Sequence, residues 1–355
     1  MRRQHFEALR PVCPVCQTGS GERHPLVLAD VVREDDRHII EGVLHCSHEK
    51  CQREYPIIDG IPLIIRDIRT YLSENAFQVC QRSDLGDAIE GMLGDCCGSG
   101  SAYDVVRQHL SSYTWDHYGD RDPEESSDEP RPGSVVRVLQ RGLEMAGELP
   151  AGPILDVGCS VGRSSFELAE RYDELVLGVD LNFSMLRLAG DVLRSGVVRY
   201  PRRRVGLVYD RREFPVSFQR RENVDFWACD ATAFPFEDNQ FAAAVSLNLL
   251  DCVHSPLEFL TSLAAVLRND CPAVLSSPYD WSVSATPAES WLGGHSQRGP
   301  DAGASEPVLR RLLTPGSPQS IPGLRLIAES DADWHVRLHE RSVVSYKSHL
   351  VVART

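Results

Sequence analysis

Pro153-Ile154-Leu155-Asp156-Val157-Gly158-Cys159-Ser160-Val161-Gly162 is the stretch that decides the fold of this 355-residue chain. A short apolar run ends in an acid, and a glycine-bearing turn then opens an amphipathic segment from Arg163 to Arg171. That is the pattern of a buried parallel strand handing its C-terminal end to a helix N-terminus, where α/β sheets bind nucleotides. Gly158 and Gly162 let backbone approach a ligand with no Cβ between them. Their spacing, Gly-x-x-x-Gly, differs from the Gly-x-Gly-x-x-Gly that cradles a pyrophosphate. With Asp156 standing just before the turn, the segment favours a cationic ligand over an anionic one. A second apolar run, Leu175 to Val179, ends in Asp180, placed to accept the two hydroxyls of a ribose.

Working outward, strands and helices alternate. A helix from Ser134 to Ala146 precedes the strand at 154–157. Helix 161–172, strand 175–180 and helix 182–193 follow it. After an insertion come strands 224–228 and 242–247, helix 256–268 and strand 272–277, and the chain finishes in two long β-like runs near 324–340 and 342–353. Alternation predicts a parallel sheet with helices on both faces, and two tightly joined final strands predict a hairpin at its edge. The expected fold is α/β, a seven-stranded, mostly parallel, doubly wound sheet with its last strand antiparallel, plus a small β-rich N-terminal unit.

The pattern D-V-G-C-x-x-G, with an acid closing the next strand, resembles the class I S-adenosylmethionine-dependent methyltransferases. The resemblance implies S-adenosylmethionine as cofactor and a cofactor set in this chain. Asp156, Gly158, Cys159 and Gly162 form the turn; Asp180 and Leu181 meet the ribose and adenine. Asp230 accepts the adenine amine beside the Ala231 amide, and Asn248 lies under the methionine moiety. Asp230 also suits an N-cap of the turn after it, a compatible role.

Bulk properties narrow the classes. Net charge is −14, which argues against a global polyanion-binding surface. No run of 18 apolar residues exists, and Met1-Arg2-Arg3-Gln4-His5 lacks a following apolar segment, so a soluble cytoplasmic protein with no membrane partner is expected. Of eleven cysteines, several flank the turn and strand-end motifs and four have metal-ligand spacing, which fits reduced thiols better than disulfides.

Three regions follow. Residues 1–68 carry Cys13-Pro14-Val15-Cys16, then Cys46 and Cys51, two turn-borne thiolate pairs able to close a tetrahedral zinc site that a unit this small needs. The run Tyr55-Pro56-Ile57-Ile58-Asp59-Gly60-Ile61-Pro62 resembles the zinc-ribbon family that includes the activating subunit of tRNA and release-factor methyltransferases. Here the second pair is Cys-x4-Cys, with His45 and His48 beside it, which leaves the ligand at Cys46 more open than the other three. Residues 69–134 are connective. They hold a helix from Tyr103 to Tyr118, whose Tyr113, Trp115, His117 and Tyr118 suit either packing or a lid over the cofactor, and an acidic, proline-bearing loop over 121–133. Residues 135–355 carry the main fold.

A sulfonium methyl is already activated, so transfer needs mostly in-line positioning at about 3 Å and desolvation of the nucleophile. The substrate must therefore be read elsewhere. Ser277-Pro278-Tyr279-Asp280-Trp281, Thr286-Pro287, Trp291-Leu292-Gly293-Gly294 and the strand Arg337-Leu338-His339-Glu340-Arg341 resemble the mercaptohistidine N-methyltransferase family of ovothiol biosynthesis. That resemblance implies a small amino-acid-like acceptor, with Asn248, Tyr279, Arg337 and His339 as the catalytic and substrate-holding set and Arg341 as a further carboxylate partner. The aromatics suit a cap on the sheet as well, and the His/Arg strand a solvated edge. The arginine-rich insertion 195–222 reads as a solvated loop or as a contact for an anionic partner. A macromolecular methyltransferase using the ribbon for recognition is the competing reading, in which nucleic acid, otherwise disfavoured, becomes the partner. A cofactor-binding protein without catalysis is disfavoured by the intact acids and glycines.

Overall fold

The computed structural model describes residues 1–19, 21–126 and 130–355; part of the acidic loop expected over 121–133 lies outside them. In chain order the elements are α1 (Arg3–Leu9), α2 (Pro14–Gly19), β1 (Leu26–Glu34), β2 (Ile39–Cys46), β3 (Glu54–Ile58), β4 (Ile61–Ile64), α3 (Ile68–Cys80), α4 (Asp87–Cys97), α5 (Ala102–Tyr118) and α6 (Ser134–Ala146). Then come β5 (Ile154–Val157), α7 (Arg163–Arg171), β6 (Val176–Asp180), α8 (Phe183–Ser195), β7 (Val197–Val205), β8 (Val208–Pro215), β9 (Val224–Cys229) and β10 (Ala243–Leu247). The chain closes with α9 (Pro256–Val266), β11 (Pro272–Ser277), α10 (Glu306–Leu312), β12 (Arg325–His339) and β13 (Ser342–Arg354). Among the described residues no helix is long and apolar enough to cross a membrane.

The central seven strands run β9-β6-β5-β10-β11-β13-β12, all parallel except β13. The expected sheet is therefore present. Strands β5, β6, β9 and β11 are buried almost throughout, as strands covered on both faces must be. The order reverses between β5 and β10, which opens the crevice at their C-terminal ends.

The N-terminal strands do not stand apart from this sheet. β4 pairs in parallel with β9, and β3, β2 and β1 continue outward, so one sheet of eleven strands runs through the molecule. The apolar side chains agree: Cys13, Leu44, Tyr55 and Ile57 share one buried cluster with Trp227, Phe234, Phe236 and Phe241. Asp225 receives the Arg2 amide at 2.8 Å, and Arg187 binds Asp59 at 2.9 Å, adding polar ties across the same seam.

Two features of the outer shell go beyond the sequence expectation. The connective region contains α3 and α4, whose buried residues are few (Ile68, Tyr71 and Val79; Gly94), so their periodicity is weak. The insertion 195–222 holds a β7–β8 hairpin rather than a loop, and most of its arginines are paired within the protein. Arg202 and Arg204 meet Asp210 at 2.8 and 3.0 Å, Arg211 meets Glu90 at 2.9 Å, and Arg212 meets Asp122 and Glu124. Much of the charge that looked available for a polyanion is neutralised locally.

Candidate active site

The turn after β5 turns its own backbone donors inward. The Gly158 and Cys159 amides both donate to the Val179 carbonyl, the Ser160 amide to Asp180, and the Gly162 amide to the Cys159 carbonyl. Few donors are left to wrap an anion, in keeping with the expectation of a non-phosphate ligand. Both glycines are required: Gly158 has φ +73° and Gly162 φ +86°. A Cβ at Gly162 would stand 2.5 Å from the Phe226 ring, and one at Gly158 would stand 2.9 Å from Leu249.

Asp156 is buried, and its Oδ2 accepts hydrogen bonds from Ser164 and Ser165, each at 2.6 Å. Burial pushes its pKa up to about 6 against the pull of those two hydroxyls. This carboxylate ties the end of β5 to the first turn of α7. Cys159 is likewise fully buried, and burial raises its thiol, so what it brings to the turn is backbone.

The next two strand ends each present an acid to the crevice. Asp180 accepts the Ser160 and Asn182 amides at 2.9 and 2.8 Å, one on each oxygen, which leaves a lone pair on each for vicinal hydroxyls. Leu181 beside it is 41% exposed, an apolar face next to the acid. The Tyr71 hydroxyl of α3 donates to the Leu181 carbonyl at 2.7 Å, fixing that backbone from above. Asp230 accepts the Thr232 amide and hydroxyl on Oδ1, so its Oδ2 remains for a donor, and Ala231 is buried beside it.

On the other side of the switch point, Asn248 follows β10 with φ +53°. Its amide N–H donates to the Ser276 carbonyl, and its side-chain oxygen accepts from the Ser276 hydroxyl at 2.9 Å. Its side-chain NH₂ is the part left for a ligand. Asp251 is buried and receives the Ser277 hydroxyl at 3.0 Å and the Asp280 amide at 2.7 Å. Around it converge residues from distant elements. The Tyr113 phenol is held up by desolvation and then by the charges of Cys252, Asp180, Tyr346 and Asp251. The Tyr346 phenol is raised by burial and by Asp280, which faces it. Tyr113, Asp251, Cys252, Asp280 and Tyr346 thus lie near one another, and none of them stands out as catalytic in the sequence. The signal lay partly in Tyr113 on the expected lid helix and in Tyr346 after the His/Arg strand.

Tyr279, Arg337, His339 and Arg341, the residues expected to meet the substrate, each have partners within the protein. Tyr279 points its hydroxyl at His349 Nδ1, 2.8 Å away, and its ring joins a stack with Trp281 and Trp291 against the apolar cluster under α10. These aromatics cap the sheet, with Trp281 and Trp291 donating to Ser305 and to the Thr286 carbonyl. Arg337 is buried, binds Glu125 through Nη1 at 2.6 Å and lies over the Trp115 ring at 4.8 Å, while its Nη2 has no hydrogen-bond partner among the described residues. His339 and Arg341 sit at the hairpin tip, the His339 ring accepting the Arg341 amide. Register explains the distance: His349 is opposite Ser277, and β13 begins at Ser342, roughly 24 Å further out at strand rise.

In the N-terminal strands, the Cys13, Cys16, Cys46 and Cys51 sulfurs all lie within 4.8 Å of one another. Cys13–Cys51 is 3.9 Å and Cys16–Cys46 is 3.8 Å. The edges of a tetrahedron with metal–sulfur arms of about 2.3 Å are about 3.8 Å, which these two separations match, so the cluster has the dimensions of a four-thiolate zinc site. Cys46 belongs to this quartet. His45 does not, whereas His48 lies 3.7 Å from Cys16 and stacks on His24. The Tyr55 hydroxyl sits 3.3 Å from the Cys13 sulfur, as an outer hydrogen bond to a ligating thiolate would.

A family described as "Methyltransferase domain" matches residues 155–275. Over 198 residues the chain is 27% identical to phosphoethanolamine N-methyltransferase 1 of Triticum aestivum, covering 55% of this chain and 33% of that protein. The chain thus spans about a third of the length of this curated relative. A solved phosphoethanolamine N-methyltransferase 2 of Haemonchus contortus, in complex with S-adenosyl-L-methionine, is 16% identical with a TM-score of 0.33, covering 48% of this chain and 35% of that one. A SAM-dependent methyltransferase of Methanosarcina mazei is 20% identical with a TM-score of 0.37, covering 57% and 92%.

Proposed function

We propose that this S-adenosylmethionine-dependent methyltransferase transfers its methyl group to a nitrogen of a small amino-acid-like acceptor, with a mercaptohistidine as the specific candidate. The observation that carries the reading is the acidic, aromatic-walled acceptor side, where Asp180, Asp251 and Asp280 gather with Tyr113 and Tyr346. Carboxylates and phenol faces suit an acceptor with cationic character and disfavour a phosphorylated one. The wheat relative's name supports N-methylation of a small amine, and the acidic lining argues against carrying over its phosphate-bearing substrate. The candidate acceptor itself comes from the Trp291-Leu292-Gly293-Gly294 resemblance.

Asp180 would hold the ribose, Leu181 and Asp230 the adenine, and the Asn248 amide the methionine end. The bound cofactor supplies a sulfonium methyl ready for displacement. Tyr113 and Tyr346 exclude water from the acceptor nitrogen, and Asp280, an exposed carboxylate beside Tyr346, is available to take a proton it releases. The four cysteines would hold one structural zinc. By strand spacing, β4 lies about 19 Å from β10, so the zinc strands adjoin the adenosine side and not the acceptor side.

A turnover screen with mercaptohistidine, histidine, ethanolamine and unfractionated tRNA tests this. Transfer to mercaptohistidine that Asp280→Asn impairs at least about tenfold is expected. Robust transfer to tRNA alone, insensitive to Asp280 and Tyr346, would replace the reading with a macromolecular one.

A further inference from the structure

A cavity of about 480 Å³ lies among the connection from α3 to α4, α4, α5, α8 and the β7–β8 hairpin. It is distinct from the crevice at the strand ends, since Asp156, Asp180, Asp230 and Asn248 do not line it. Its size is that of a small-molecule site. Five lining arginines (Arg82, Arg187, Arg194, Arg199 and Arg211) are each hydrogen-bonded to a carboxylate or a carbonyl.

Arg107 of α5 is different. It is only 7% exposed, and its Cζ lies 3.9 Å from the Tyr209 ring centroid and 5.5 Å from that of Tyr103. Among the described residues, no carboxylate, carbonyl or hydroxyl bonds to its guanidinium. The rings compensate the charge through their faces and leave the N–H fork without an acceptor. A buried cation in that condition favours an anion strongly, and a guanidinium fork matches carboxylate and phosphate oxygens two at a time. Beside it, Val106, Leu110 and Leu188 give the cavity an apolar wall.

We propose that this cavity is a second ligand site for a small organic anion, with the carboxylate or phosphate on Arg107 and the apolar body against Val106, Leu110 and Leu188. The site is framed by the two helices that also frame the methyl-transfer crevice. Leu110 lines the cavity one turn before Tyr113, and Ser184 lines it at the start of α8, just after Asp180 and Leu181. The proposal does not depend on the identity of the methyl acceptor.

Calorimetry on the full chain with phenyl phosphate, benzoate and neutral benzyl alcohol provides the test. Arg107→Met removes the cation. Gly94→Ala leaves the charge but displaces it, because a Cβ at Gly94 would stand 1.9 Å from Arg107 Nη1. At least one anion should bind the wild type in preference to benzyl alcohol, and the preferred anion identifies the head group. Both variants should weaken that anion by about tenfold or more while keeping S-adenosylmethionine affinity within about twofold, which certifies folding. Anion binding unchanged in Arg107→Met, no discrimination against benzyl alcohol, or no binding of either anion to the wild type would overturn the proposal.

Discussion

At the ends of β6 and β9, Asp180 and Asp230 are held by amides two residues onward and by the neighbouring turn. At the ends of β10 and β11, Asp251 and Asp280 face groups delivered by α5 and β13, from opposite ends of the chain. The first half of the crevice is assembled from strand–turn units that carry their own geometry. The second exists only once the helix and the final hairpin have closed over it. In the proposed reading, the local half holds a cofactor common to many enzymes, and the long-range half chooses the acceptor.

The largest expected effect is on the cofactor half, through zinc. Structural zinc contributes on the order of 10 kcal/mol in isolated fingers. Here the four candidate cysteine ligands pack on a core shared with β9, and the strands lead through β4 to Tyr71 against Leu181. Metal analysis should find about one equivalent, and chelation should lower the melting temperature and the cofactor affinity together. Four freely titratable thiols in a metal-free, fully stable protein would break this link.

Next in size is Gly162→Val. Its positive φ and the clash with Phe226 together should cost about 3 kcal/mol or more, read by denaturant unfolding. An undiminished midpoint would mean that the turn is not built as described.

A smaller effect concerns Asp116 on α5, the wall of the acceptor half. It receives the Ser134 amide at 2.8 Å, and burial raises its pKa to about 7. An unfolded aspartate titrates near 4, so the folded state binds the extra proton between those values. Its contribution is therefore full below about pH 4 and is lost as pH rises through about 7. The stability of Asp116→Asn relative to wild type should grow across that window; a pH-independent difference would contradict the assigned burial.

The smallest effect expected is from Tyr279→Phe. With its hydroxyl spent on His349, turnover should stay within about threefold of wild type under saturating acceptor. A collapse of kcat would move Tyr279 back into the acceptor half.

The same contrast explains what the chain disclosed. Strand ends with acids, the glycine turn and the helix from Ser134 to Ala146 are read from neighbours in sequence, and they stand where expected. The pairing of β4 with β9 was not legible, because parallel register depends on a partner about 160 residues away. Arg337 shows a related limit. Alternation placed it on a face, but nothing local revealed that Glu125 and Trp115 would occupy it. Arg199 to Arg212 looked like a free basic run because their carboxylate partners, such as Asp87, Glu90 and Asp122, lie in other elements.

The division of the crevice is tested most directly by measuring cofactor affinity and single-turnover rate side by side on Asp180→Ala and Tyr346→Phe. Losing a charged hydrogen-bond partner should weaken S-adenosylmethionine binding to Asp180→Ala by roughly 10- to 150-fold, or about 1.5–3 kcal/mol. Tyr346→Phe should bind the cofactor as wild type does and transfer its methyl group several-fold more slowly. Unchanged affinity in Asp180→Ala, or an equal loss of affinity in both, would contradict the account.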